Sequence, residues 1–139
     1  MRVKLDDGAI LPLRAHPTDA GLDLYAPMTI KDPTIIYSGH SVMIDTGVHP
    51  ELPAGHVGLV MTRSSMNALD LHCEGVIDEN YRGSIGVRLF NGGFDYYIVR
   101  PGDKIAQLVI VPCCLESCIA AEKLTETDRG TDGFGSTGK

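Results

Sequence analysis

No tryptophan occurs among the 139 residues, which hold only three phenylalanines and five tyrosines. No apolar run approaches the roughly 20 residues that a membrane-spanning helix needs, so a soluble chain is expected. Positive charge is scarce as well: 12 Lys and Arg stand against 18 Asp and Glu, a formal net charge of −6. A protein that grips a nucleic-acid backbone wants a basic face, so this balance argues against a polymeric partner. Any polyphosphate must then be held by a few local cations and many backbone amides, which favours a small nucleotide. The opening residues, Met1-Arg-Val-Lys-Leu-Asp-Asp, lack the apolar core of a secretory leader. The four cysteines, Cys73, Cys113, Cys114 and Cys118, form no C-x-x-C pair. Reduced cytosolic thiols packed as small apolar groups are the expectation, and with them a cytoplasmic protein. His16, His40, His49, His56 and His72 show no metal-ligand spacing, so no zinc is assigned.

Glycine and proline are what the chain has in quantity, 16 and eight residues respectively. They punctuate short apolar runs of strand length at 1–5, 21–25, 41–48, 56–61, 85–90, 96–99 and 105–111. Residues 41–48 alternate as a strand with one buried face does. After Gln107 the run Leu-Val-Ile-Val is continuously apolar, as in a strand deep in a sandwich or at a subunit contact. The one helix candidate, 64–71, is too short to alter the class. These features predict an all-β protein, a sandwich or distorted jelly roll, over residues 1–128.

Residues 129–139, Arg-Gly-Thr-Asp-Gly-Phe-Gly-Ser-Thr-Gly-Lys, could build no core. Their chemistry suits an anion instead. Glycines let amides turn inward, Ser136 and Thr137 add hydroxyls, and Arg129 adds a planar charged fork. Phe134, between two glycines, could lie flat on a base. The segment reads as a flap closing over a nucleoside triphosphate. Gly133 to Lys139 also matches much of G-x-x-x-x-G-K, but no strand precedes it and no helix follows, so the Walker reading fails.

Four other segments carry polar residues at strand ends. Arg63-Ser64-Ser65 opens the helix candidate and could form an anion site, or merely an N-cap beside a surface arginine. Asp78 and Tyr81 sit near the mouth of an expected hairpin over 75–83. There the carboxylate could act as a base, or simply satisfy turn amides. Segments 19–24 and 102–108 are ordinary taken singly.

In this order, 19–24, 63–65, 75–83, 102–108 and 129–138 resemble the five motifs of the trimeric dUTP diphosphatases (dUTPases). The resemblance spans nearly the whole chain. It implies a jelly-roll fold and hydrolysis of dUTP to dUMP and diphosphate, limiting uracil in DNA and supplying dUMP for dTMP synthesis. It implies that Asp78 activates the attacking water and that Tyr81 packs under the deoxyribose. Main-chain groups of Gly75, Val76 and Ile77 would read uracil. Arg63, Ser64, Ser65 and Gln107 would hold the α- and β-phosphates, with Gln107 also beside the reacting centre. Arg129, Gly135, Ser136 and Thr137 would close on the γ-phosphate while Phe134 stacks on the base. Asp23 would be a supporting charge near Arg63. Mg²⁺ would be carried by triphosphate oxygens and water, with no direct protein ligand. The resemblance further implies a homotrimer with sites shared between subunits.

Some residues depart from the pattern: 66–74 looks shortened, His72 stands where relatives often place Asn, and Thr62 replaces a common Pro. Two alternatives share the fold. A dCTP deaminase-type relative, in its simple or its bifunctional form, would need an acid on the strand after the hairpin, and Ser84-Ile-Gly-Val-Arg-Leu-Phe-Asn has none. A phage-type dUTPase would add a regulatory protein partner.

Overall fold

The computed structural model describes residues 1–133. Eleven strands and one short helix follow in the order β1 (Arg2–Leu5), β2 (Gly21–Tyr25), β3 (Thr34–Ile36), β4 (Ser41–Asp45), β5 (Val48–Glu51), β6 (His56–Met61), α1 (Ser64–Asn67), β7 (Leu71–His72), β8 (Glu74–Ile77), β9 (Gly86–Asn91), β10 (Tyr97–Val99) and β11 (Lys104–Pro112). The all-β expectation holds. The largest sheet runs β2-β11-β6-β8 and the next β4-β9-β7, with the pairs β1-β5 and β10-β3 beside them. Every pairing is antiparallel.

Side-chain alternation explains the layers. In β9, Val87, Leu89 and Asn91 are buried while Gly86, Arg88 and Phe90 are exposed. That period of two is what a strand with one wet face requires. The inward residues join Leu24, Val60, Leu71, Ile85, Ile105 and Leu108 in one core. β11 lies between β2 and β6 as a central strand, which accounts for its long apolar run.

Several boundaries differ from the sequence reading. The run 41–48 is two strands, because Gly47 adopts φ +68° and its amide is captured by Asp45 Oδ1 at 3.0 Å. The helix stops at Asn67, and Asp70 at φ +54° turns the chain so that Leu71 enters a strand. The hairpin over 75–83 is a crossing instead. β8 pairs with β6 in one sheet and β9 with β4 and β7 in another, so residues 78–84 carry the chain between sheets. Cys73 alone among the cysteines is buried. Cys113, Cys114 and Cys118 are exposed, since the chain leaves the sheet after Pro112.

Candidate active site

The site begins with a carboxylate held inside the largest sheet. Asp23 is on β2, directly opposite Gln107 on β11, and Gln107 in turn faces Met61 on β6. Register therefore sets the polar positions of β2 and β11 side by side, next to the end of β6. Arg63, two residues past β6, donates from Nε to Asp23 Oδ1 at 2.8 Å and from Nη1 to Ser65 Oγ at 3.2 Å. Lys104 Nζ sits 2.7 Å from Asp23 Oδ2 and 5.9 Å from the centre of the Tyr25 ring. One buried carboxylate thus orients two cations, leaving the trio one positive charge in excess. Contact with Asp23 raises the Lys104 ammonium above its ordinary value.

Gln107 donates from Nε2 to the Thr62 carbonyl at 3.1 Å. Gly21 makes that placement feasible: a Cβ there would stand 2.2 Å from Gln107 Oε1 and 3.0 Å from its Cβ. Thr62 is locked by its hydroxyl, which accepts from the Cys73 amide at 2.8 Å and donates to the Cys73 carbonyl at 2.9 Å. The first bonds of α1 run from the Met66 and Asn67 amides to the Arg63 carbonyl, at 3.0 and 2.9 Å. Ser64 and Ser65 stand ahead of that ladder, the Ser65 hydroxyl beside the Arg63 guanidinium. No side chain caps the turn, so the N-cap reading of these serines is set aside. Ser64 and Gln107 open onto a cavity of about 790 Å³ that His72, Arg88 and Phe90 also line.

The other predicted residues lie elsewhere. β8 is an edge strand, so one row of its main-chain groups faces away from β6. Val76 is exposed, whereas the Ile77 side chain is buried, which leaves Ile77 only main-chain atoms to offer. Asp78 follows in a tight turn closed by the Tyr81 amide on its carbonyl at 3.0 Å. The Tyr81 hydroxyl donates to the Ser84 carbonyl at 2.7 Å, and its ring lies against Gly83, where a Cβ would fall 2.5 Å from the hydroxyl oxygen. Asp78 opens onto a second cavity, of about 460 Å³, with Glu79, Asn80, His56 and Cys113.

Register fixes the distance between these two places. Ile77 is paired with Gly58 and Glu74 with Met61. Asp78 is therefore beyond the Gly58 end of the pair, and Arg63 is beyond the Met61 end. The five residue steps of extended chain from Gly58 to Arg63 span about 17 Å. A single chain brings Asp23, Arg63, Ser64, Ser65 and Gln107 together, and keeps Asp78 and Tyr81 apart from them. Among the described residues, Arg129 bonds to the carbonyls of Asp132 and Gly133, at 3.2 and 2.9 Å. Phe134, Gly135, Ser136 and Thr137 lie outside the described residues.

Lys104, Thr62 and Gly21 were missed as site residues by sequence reasoning. For Lys104 the obstacle is a register shift between Lys104 and Ala106, which strict alternation does not anticipate.

The sequence model of the dUTPase family matches residues 7–138. The deoxyuridine 5′-triphosphate nucleotidohydrolase of Clostridium acetobutylicum is 41% identical over 139 residues, covering 97% of this chain and 93% of that one. Its namesake from Crocosphaera subtropica is 40% identical over 140 residues, covering 98% and 96%. Among solved structures, the dUTPase of Staphylococcus bacteriophage 80alpha with dUPNHPP superposes with a TM-score of 0.89 at 28% identity, covering 99% of this chain and 98% of that chain. A variant dUTPase of phage phi11 of S. aureus, described with a structural Mg(II) ion, gives 0.78 at 27% identity, covering 88% and 96%.

Proposed function

The chain belongs to the dUTPase family, and on that premise we propose that it hydrolyses dUTP to dUMP and diphosphate. One observation carries the reading: Arg63, Ser64, Ser65 and Gln107 gather at one end of the β6–β8 pair, anchored by buried Asp23. This is a phosphate-binding half-site, and Asp78 with Tyr81 supplies its complement at the opposite end.

In the proposed reaction, water attacks the α-phosphorus in line with the oxygen bridging to the β-phosphorus. The new P–O bond forms, the bridging bond breaks, and the water's proton passes to Asp78. Arg63, the Ser64 and Ser65 hydroxyls and Gln107 hold the α- and β-phosphates and offset charge growing on the departing diphosphate. Asp78 also accepts from the 3′-hydroxyl, and Tyr81 lies under the sugar where a 2′-hydroxyl would have to fit. The free edge of β8 at Gly75, Val76 and Ile77 reads uracil through main-chain groups. Arg129, Gly135, Ser136 and Thr137 close on the γ-phosphate, with Phe134 over the base.

The donor set suits a metal carried by the substrate. Asp23 is already occupied by two cations, and no cluster of three or more His, Cys, Asp or Glu among the described residues could hold an ion. Mg²⁺ bound with dUTP would neutralise triphosphate oxygens, with Asp23 near its water shell.

Separation of the two half-sites along β6 supports a shared site in a homotrimer. The phosphate cluster comes from one subunit, Asp78 and Tyr81 from a second, and the flap from a third. No helix among the described residues is long and apolar enough to cross a membrane. The deaminase alternative gains nothing from β9, whose exposed positions are Gly86, Arg88 and Phe90.

The test is Mg²⁺-dependent release of dUMP and diphosphate from dUTP, with dCTP and dTTP as competitors. A buried main-chain reader left unpaired by the wrong base should lower kcat/KM by about 10²-fold or more. Equal kcat/KM for dUTP and dCTP would defeat the assignment.

A further inference from the structure

The loop bearing Asp78 and Tyr81 is tied to the N-terminal strand pair by a single imidazole. His49, on β5, has its Nδ1 2.9 Å from the carbonyl oxygen of Arg82 and its Nε2 2.8 Å from Oδ2 of Asp6. Both partners are acceptors: a carbonyl has no proton to give, and an ionised carboxylate has none either. A neutral imidazole carries one N–H, and the ionised Asp6 carboxylate, the stronger acceptor, keeps that proton at Nε2, so a lone pair turns toward the Arg82 carbonyl. Only the imidazolium satisfies both.

The surrounding charges leave this arrangement in place. Lys4 lies across from His49 in the β1–β5 register and opposes its charge, but the Lys4 ammonium is 3.6 Å from Asp6 Oδ1. Glu51 is engaged by Arg2 at 2.6 Å. The Arg82 guanidinium turns back onto the carbonyls of Glu79 and Tyr81, each at 2.8 Å. Asp6 first, and then the Arg82 carbonyl, hold His49 above the usual histidine range, while His49 holds Asp6 below the usual carboxylate range.

We infer that His49 is a positioning residue for the sugar-binding loop, a proton-operated clasp that fixes Arg82, next to Tyr81, only while its imidazole is charged. The inference rests on the proposed role of residues 78–84 in binding dUTP. Its direction with pH follows from the two shifts. Because the His49 value is raised by folding, the clasp is fully made below the unfolded value and is lost as pH rises through the folded one. Because the Asp6 value is lowered, the clasp is also lost as pH falls through that group's folded value. Release should loosen the Arg82 end without unfolding β9. Ile85 is held independently by its amide on the Val48 carbonyl at 2.9 Å and by the Thr46 amide on its own carbonyl at 3.0 Å.

Two measurements test it on the full-length protein. The Arg82 carbonyl belongs to the same peptide group as the Gly83 amide, so the Gly83 ¹⁵N shift should titrate with the midpoint of the His49 ring protons. In Asp6→Asn both midpoints should move together to lower pH. Kinetically, KM for dUTP should rise about two- to tenfold across that midpoint, the worth of one lost hydrogen bond, while kcat keeps its own profile. His49→Gln, which cannot titrate, should lack this step and retain any change due to the phosphates of dUTP itself. A Gly83 amide that stays flat while His49 titrates, or a KM step that survives in His49→Gln, overturns the clasp. Absence of dUTP turnover in the unaltered protein would instead remove the proposed function, and the Gly83 titration alone would then decide the clasp.

Discussion

At Asp23 one carboxylate organises a cationic site in an acidic chain. Its two oxygens meet Arg63 and Lys104 at 2.8 and 2.7 Å, so both cations are fixed before any phosphate arrives. Pre-placed donors need little rearrangement as charge develops, which is where such a site gains its rate. Asp78 stands in contrast. It lines an open cavity and, among the described residues, no cation stands against its carboxylate, as would suit the proton acceptor we propose it to be. The amide of Asp78→Asn keeps the shape but cannot take that proton. Turnover should fall about 10²- to 10⁴-fold, the usual loss for a removed general base. Affinity for a non-hydrolysable dUTP analogue, read by calorimetry, should stay close to that of the unaltered protein. A variant that keeps most of its kcat would place the base elsewhere.

Among elements, the crossing at 78–84 is the one we propose to select the sugar. Tyr81 is held at the phenolic end of its ring, by the Ser84 carbonyl and by contact with Gly83. Tyr81→Ala should therefore raise kcat/KM for UTP relative to dUTP. Gly83→Ala should do the same without touching the ring chemically, because its methyl would occupy the space of the tyrosine hydroxyl. Combining the two should add little to Tyr81→Ala alone, since both act on one ring. Ratios of UTP to dUTP turnover across the three variants check this, and an unchanged ratio in Tyr81→Ala would assign sugar choice to other groups. The element itself was only partly legible in the sequence. Strands β2 and β6 match the expected runs 21–25 and 56–61 because alternation and length specify them locally. Asn80 and Gly83 announce a turn, but the same letters serve a hairpin and a crossing between sheets. The choice is made by what β8 pairs with, which is information carried by β6. β3 and β7, of three and two residues, are too short to show a period.

For the whole molecule, the five motifs in order named the residues of the candidate site and, by resemblance, a site shared between subunits, whereas the strand register that sets those residues apart was not legible. That division depends on register: Ile77 opposite Gly58 sends Asp78 one way along β6 while Arg63 lies the other way. A separation of about 17 Å along the strand supports the proposal that a closed ring of subunits supplies each half from a different neighbour. Asp78→Asn subunits and subunits truncated before Arg129 should each be inactive alone. Mixed equally and refolded together, they can restore a site whose Asp78 comes from a truncated chain and whose flap comes from a full-length one. Each condition is met with probability one half, so random trimers should recover about a quarter of full activity. Co-expression with two affinity tags would isolate the mixed species for assay. Verified mixed trimers without recovery would mean that Asp78 and the flap act within one chain. The chain after Pro112 would then have to bring its arginine to its own Asp78 rather than to a neighbour's.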